Sequence, residues 1–223
     1  MSLPGTIKSV LFDLDGTLVD SRRTIVDSIR HALETLGMDP GAATDVQSLI
    51  GKPLLEIFTG HYGMERGRAL EAIDVYREYY DSLNQAGTIV YPGVQSGLEA
   101  LNAAGYRLFL ATVKPTGIAD KVLTDLGLRG HFEGVAGASM GPERREKGAI
   151  IAWALSTFGL DAAASVMIGD RDQDIEGARE NGLPAVAVSW GFGGTEEFER
   201  ARPAFRADRF EDIVGLLPAR VAV

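Results

Sequence analysis

Ile7-Lys8-Ser9-Val10-Leu11-Phe12-Asp13-Leu14-Asp15-Gly16-Thr17 is the stretch from which the rest of the chain can be read. Val10, Leu11 and Phe12 form a short apolar run of the kind buried on both faces of a parallel sheet. Asp13 and Asp15 follow at i and i+2, and Gly16 breaks the strand. In extended chain that spacing sets both carboxylates on one side. Two like charges so close are costly unless a cation or a proton holds them. A lone Asp-x-Asp reads as two solvated acids in a turn. A buried strand running straight into the pair points instead to a ligand site, because ligands bind at the carboxyl ends of strands in open α/β sheets.

The composition narrows the possibilities. The chain has 223 residues, of which 45% are hydrophobic and 24% charged, so a substantial core is expected in one large domain or two small ones. The net charge of -9 disfavours a nucleic-acid binder that relies on a basic surface. With no Cys, disulfides, thiolate metal sites and Cys nucleophiles are excluded. No apolar run approaches the ~20 residues of a membrane span, and the N-terminus lacks a signal-peptide pattern. A soluble cytoplasmic protein is the expectation.

Downstream of Thr17, Ile25, Ile29, Ala32, Leu33 and Leu36 recur at helical spacing and Gly37 closes the helix. Residues 39–60 are looser, with a break at Gly51-Lys52-Pro53, and 65–84 read as a second amphipathic helix. Ala69, Ala72, Ile73, Tyr76, Tyr80 and Leu83 form its apolar face, a packing stripe rather than a ligand box. From 18 to 85 the pattern is helical, with no convincing strand. After Pro92 helices alternate with strands. Strands are expected at Arg107–Thr112, Gly134–Ala136, Ser165–Ile168 and Ala185–Val188, with an edge strand near 205–208. Helices are expected up to Gly105, over 115–126 and 146–158, from 171 to Asn181-Gly182, and over 195–201 and 209–217. Helices ending in Gly, each followed by an apolar run, indicate a parallel sheet with helices on both faces. The first strand belongs to that sheet, and its return is delayed by a helical domain inserted after it.

The strand ends gather the chemistry. The first ends in Asp13-Leu14-Asp15, the strand from 107 in Thr112-Val113-Lys114, and the strand from 165 in Gly169-Asp170-Arg171-Asp172-Gln173-Asp174. Lys147 opens a helix between the last two, after the polar run Pro142-Glu143-Arg144-Arg145-Glu146. Several carboxylates without His or Cys suit a hard, oxygen-loving cation such as Mg²⁺. A carboxylate can attack phosphorus to give an aspartyl-phosphate, and a Lys, Mg²⁺ and backbone N–H groups stabilise the transferring phosphoryl. Singly, each piece has a plain reading. Asp170, Asp172 and Asp174 suit a helix start, Thr112 is an ordinary strand residue, and Lys147 a solvated helix lysine with Lys114 as competitor. Their joint occurrence, in this order at successive strand ends, carries the reading.

On these motifs the chain resembles the haloacid dehalogenase superfamily of phosphohydrolases. Phe12-Asp13-Leu14-Asp15-Gly16-Thr17-Leu18 matches the first motif, Thr112 the second, Lys147 the third and Gly169–Asp174 the fourth. More narrowly it is similar to the phosphoglycolate phosphatase-like group, supported by Ile50-Gly51-Lys52-Pro53-Leu54, Tyr91-Pro92-Gly93-Val94 and Trp190-Gly191-Phe192-Gly193. The resemblance implies an α/β fold, a Rossmann-like parallel-sheet core (1–17 and 86–223) with an inserted helical cap (18–85). It implies Asp13 as nucleophile, Asp15 as general acid/base, and Thr112 and Lys147 as phosphoryl ligands. Mg²⁺ would be held by Asp13, the Asp15 carbonyl and Asp170, with Asp174 as a neighbouring or direct partner. Lys52, in the cap, is a candidate substrate contact or a solvated turn lysine. Lys147 is followed by Gly148, where relatives often have Pro, and Lys114-Pro115 resembles the third motif but comes too early.

The resemblance implies a Mg²⁺-dependent phosphatase acting on a small phosphorylated metabolite of the phosphoglycolate or nucleoside monophosphate type. The protein would be a monomer or homodimer, with no nucleic-acid or membrane partner. A phosphomutase of the β-phosphoglucomutase type shares the motifs. A receiver-like phosphoacceptor domain also groups acids, a Thr and a Lys around Mg²⁺, but it needs neither this length nor Asp15.

Overall fold

A computed structural model describes residues 3–4, 6–40, 49–50, 52–83, 85–139 and 143–217. Gly51 and Pro142, and most of the loose stretch before Leu49, lie outside the described residues. The chain forms two compact units: Met1–Val19 with Val90–Val223, and Asp20–Ile89.

The elements in chain order are β1 (Ser9–Phe12), β2 (Val19–Asp20), α1 (Arg22–Thr35), α2 (Leu54–Glu56), α3 (Arg66–Ser82), β3 (Ile89–Val90), α4 (Val94–Ala103), β4 (Arg107–Pro115), α5 (Thr116–Asp125), β5 (Gly134–Ala138), α6 (Lys147–Phe158), β6 (Ser165–Gly169), α7 (Asp172–Glu180), β7 (Ala185–Val188), α8 (Thr195–Ala201), β8 (Phe205–Ala207) and α9 (Phe210–Leu216). Two sequence expectations are corrected. Val19–Asp20 is a short strand inside the stretch read as purely helical, and it pairs with Ile89–Val90. Strand β4 runs to Pro115, three residues past Thr112.

The first unit is built on a six-stranded sheet in the order β5-β4-β1-β6-β7-β8. Every neighbouring pair is parallel, as the Rossmann-like expectation requires. Strand β1 lies inside the sheet, with Phe12 opposite Leu110 on one side and Ile168 on the other. All four of its residues are buried, which explains its unbroken apolar run. Successive side chains point to opposite faces. Leu11 joins Phe109, Ala111 and Met167 in the core under α6 and α7. Phe12 faces the other way, stacked on Phe210 of α9 at 5.9 Å and meeting Phe132 edge-on at 6.3 Å.

From β4 and β5 on one side of β1 the chain crosses through α6 to β6, β7 and β8 on the other. The carboxyl end of β1 therefore sits where the strand order reverses, the place such sheets bind ligands. In the second unit α1 packs on α3. Helix α1 buries Ile25, Ile29, Ala32 and Leu33, and α3 buries Ala69, Ala72, Ile73, Tyr76 and Tyr80. The Tyr stripe is packing, with Tyr76 and Tyr80 stacked at 5.8 Å.

Candidate active site

Asp13 leaves β1 with its backbone N–H still donating to the Ile168 carbonyl at 2.9 Å, so the sheet ladder fixes its direction. The carboxylate is buried. Lys147, the first residue of α6, is buried too. Its Nζ lies 2.9 Å from Asp13 Oδ1 and 2.7 Å from Asp174 Oδ1, and it donates to the Ala111 carbonyl at 2.9 Å. A cation at a helix N-terminus opposes the helix dipole, and a buried ammonium needs close partners. The solvated-lysine reading therefore fails. Burial works against the charge of Lys147, but Asp13 and Asp174 outweigh it and hold the lysine protonated.

Asp170 follows β6 and is fully buried. Its Oδ1 accepts from Thr17 Oγ1 at 3.1 Å, and its Oδ2 from the Phe192 backbone N–H at 2.8 Å. Thr17 is placed in turn by Trp190, whose Nε1 donates to the Thr17 carbonyl at 3.1 Å. Glycine is required around this carboxylate. Gly16 has φ +88°, a conformation that L side chains avoid, and a Cβ there would overlap Asp170. A Cβ at Gly191 would overlap Asp170 as well. The Gly191 cradle and the Thr17 and Phe192 donors were not assigned from sequence. Their signal lay in the quoted stretches Gly16-Thr17 and Trp190–Gly193.

Asp174 fulfils two readings at once. Its Oδ2 accepts from the Arg171 backbone N–H at 3.0 Å, starting α7, while its Oδ1 pairs with Lys147. Asp172 is not part of the carboxylate group formed with Asp13 and Asp170, and its Oδ1 accepts from Gln173 N–H at 2.8 Å. Thr112 is buried, one residue beyond the carbonyl that anchors Lys147, and its Oγ1 accepts from Lys114 N–H at 3.3 Å. Lys114, the competing lysine, pairs with Asp15 instead: Nζ lies 2.8 Å from Oδ2, both side chains mostly buried. Lys52 is exposed and belongs to the second unit.

Asp13, Asp170 and Asp174 each offer a carboxylate oxygen, and these lie within 4.8 Å of one another. Burial, then the charges of Asp174 and Asp13, push Asp170 well above the usual carboxylate range. Burial, partly offset by Lys147, pushes Asp174 up to about 6. Asp13 Oδ1 and Asp174 Oδ1 are buried and complete no hydrogen bond; their approach to Lys147 is that of ion pairs. Around the site, the carboxylates of Asp13, Asp15, Asp170 and Asp174 face the ammonium groups of Lys114 and Lys147. A divalent cation would balance the excess negative charge and satisfy the oxygens. The all-oxygen donor set fits a hard ion.

The chain belongs to the haloacid dehalogenase-like hydrolase family, whose model matches residues 10–188. Within it, the chain falls with the phosphatases of the phosphoglycolate phosphatase-like group. It is 36% identical to a 5'-nucleotidase of Pseudomonas aeruginosa over 87% of this chain and 88% of that protein. It is 32% identical to a phosphoglycolate phosphatase of Neisseria gonorrhoeae, covering 95% of this chain and 91% of that protein. The crystal structure of a predicted phosphatase from Clostridium acetobutylicum superposes with a TM-score of 0.84 at 31% identity, covering 94% of this chain and 99% of that one. Among the described residues no helix is long and apolar enough to cross a membrane.

Proposed function

We propose that this phosphatase hydrolyses a small phosphate monoester, of the phosphoglycolate or nucleoside monophosphate type, through an aspartyl-phosphate on Asp13 with Mg²⁺ as cofactor. The supporting observation is the buried Asp13 at the end of a central strand, paired with Lys147 and grouped with Asp170 and Asp174. Asp13, Asp170 and the Asp15 carbonyl would hold the ion, with Asp174 beside them. When bound, it supplies charge neutralisation at the phosphoryl oxygens.

The chain's own residues do the rest. Lys147 orients Asp13 through their 2.9 Å ion pair, and with Thr112 it receives the phosphoryl group. Asp13 attacks phosphorus as the ester P–O bond breaks, and Asp15 gives its proton to the leaving oxygen. The Asp15 carboxylate then takes a proton from water as the water oxygen attacks phosphorus. Inorganic phosphate leaves, and Asp13 and protonated Asp15 are restored. Asp20–Ile89 serves as the cap, with Lys52 a substrate contact.

The test is phosphate release from a panel of phosphorylated metabolites, with and without Mg²⁺. Asp13→Asn is expected to lower turnover by a factor of 10³ or more, roughly the loss seen when an activated nucleophile is removed, with its circular dichroism unchanged. Hydrolysis at the wild-type rate in that variant would overturn the reading.

A further inference from the structure

Lys114 pairs with the general acid Asp15 but has no part of its own in the scheme above. Its Nζ lies 2.8 Å from Asp15 Oδ2, with the side chains 10% and 15% exposed. A surface ion pair contributes little and needs no function. This one is neither on the surface nor remote. Lys114 stands one residue before the end of β4, which carries Thr112, and Asp15 follows the end of β1 two residues after Asp13. The parallel pairing of β1 with β4 brings these two strand ends side by side. Lys147 occupies the Asp13 side of the site and Lys114 the Asp15 side.

We propose that Lys114 is a positioning residue for Asp15, an inference that rests on the reading of Asp15 as general acid. An ammonium donating to Oδ2 at 2.8 Å occupies that oxygen and makes Oδ1 the one presented to the leaving group. The same contact fixes the rotation of the carboxyl group. As the ester P–O bond breaks and the bond to Asp13 forms, the Oδ1–H bond breaks and its proton passes to the leaving oxygen. Lys114 itself transfers no proton. General acids contribute through alignment with the atom they protonate. An Asp15 without this contact would therefore lose part of that contribution.

The test compares two substrates through kcat/KM, which covers the steps up to transfer onto Asp13. One is an alkyl phosphate, whose leaving alkoxide needs the proton. The other is p-nitrophenyl phosphate, whose leaving group departs with little help. Lys114→Met is expected to lower kcat/KM roughly tenfold or more for the alkyl phosphate, within the 10²–10⁴ range of a whole general acid. The loss on p-nitrophenyl phosphate should be under about threefold, by the same Brønsted reasoning. Asp15→Asn should give the same substrate pattern, and Lys114→Met added to it should cost nothing further. Lys114→Arg, which keeps the charge, should recover part of the alkyl activity. Equal losses on both substrates, or an unchanged alkyl rate, would overturn the proposal. If Lys114→Met does not fold, Lys114→Gln is read the same way. Wild-type protein that releases phosphate from neither substrate would instead refute the phosphatase reading on which the proposal stands.

Discussion

Asp170 and Asp174 are carboxylates placed where water does not reach them, so their charge needs another partner. Without a cation they hold protons at higher pH than ordinary aspartates. The folded value of Asp174, about 6, lies above its ordinary 3.8. Between those values the native state binds more protons than the unfolded chain, so stability falls as pH rises through the window. The contribution is complete below 3.8 and lost above about 6. Metal-free protein is therefore expected to melt at lower temperature at pH 8 than at pH 5. Mg²⁺ binds the ionised carboxylates, so it should raise the melting temperature more at pH 8. Thermal melts at both pH values, with EDTA or Mg²⁺, check this; an equal Mg²⁺ shift at both would contradict it. At this scale the acids were legible because Asp-x-Asp at a strand end and the Asp170–Asp174 run are visible in one dimension. The lysines were not readable from local pattern, and Lys147 was reached only through the family resemblance. Lys147 and Lys114 carry the same side chain, and only folding seats one on Asp13 and the other on Asp15.

Helices α6 and α7 meet through two glycines. A Cβ at Gly177 would stand 2.8 Å from Gly148 N and 3.1 Å from the Lys147 carbonyl carbon, both backbone atoms. A Cβ at Gly148 would overlap the far end of the Glu180 side chain, which can turn away, and would touch Gly177 Cα at 3.8 Å, an ordinary contact. Asn181 ties the two helices, its Nδ2 donating to the carbonyls of both Gly148 and Gly177. Gly177→Ala is therefore expected to cost about 1–3 kcal/mol through overpacking. It should also lower kcat, because the displaced backbone carries Lys147. Gly148→Ala should stay within about 1 kcal/mol of wild type, since Ala is otherwise the better helix former. Urea unfolding and steady-state kinetics on both variants check the contrast. Helix ends such as Gly37, Gly105 and Gly159, all at positive φ, were readable from local pattern. The Gly148–Gly177 approach was not, since the two residues belong to different helices.

At the scale of the whole sheet, β1 organises everything around it. Phe12 joins Phe132 and Phe210, far apart in sequence, against one face of the strand. It is fully buried. Phe12→Ala is expected to cost about 3–5 kcal/mol, the range for a large buried aromatic. Urea denaturation would show the loss as a lower midpoint, and a loss below about 1 kcal/mol would show that the site collapses around the deletion.

The sequence by itself determined the α/β class, the helical stretch after the first strand and the acidic strand ends. Hydrophobic period, helix-ending glycines and the spacing of two aspartates are local properties, and they survive being read in one dimension. Only the tertiary structure decided that β1 lies between β4 and β6, because strand order depends on long-range pairing. That order brings Asp13, Asp170, Asp174 and Lys147 within reach of one another. It also gives Asp15 its lysine, a contact between residues 99 positions apart.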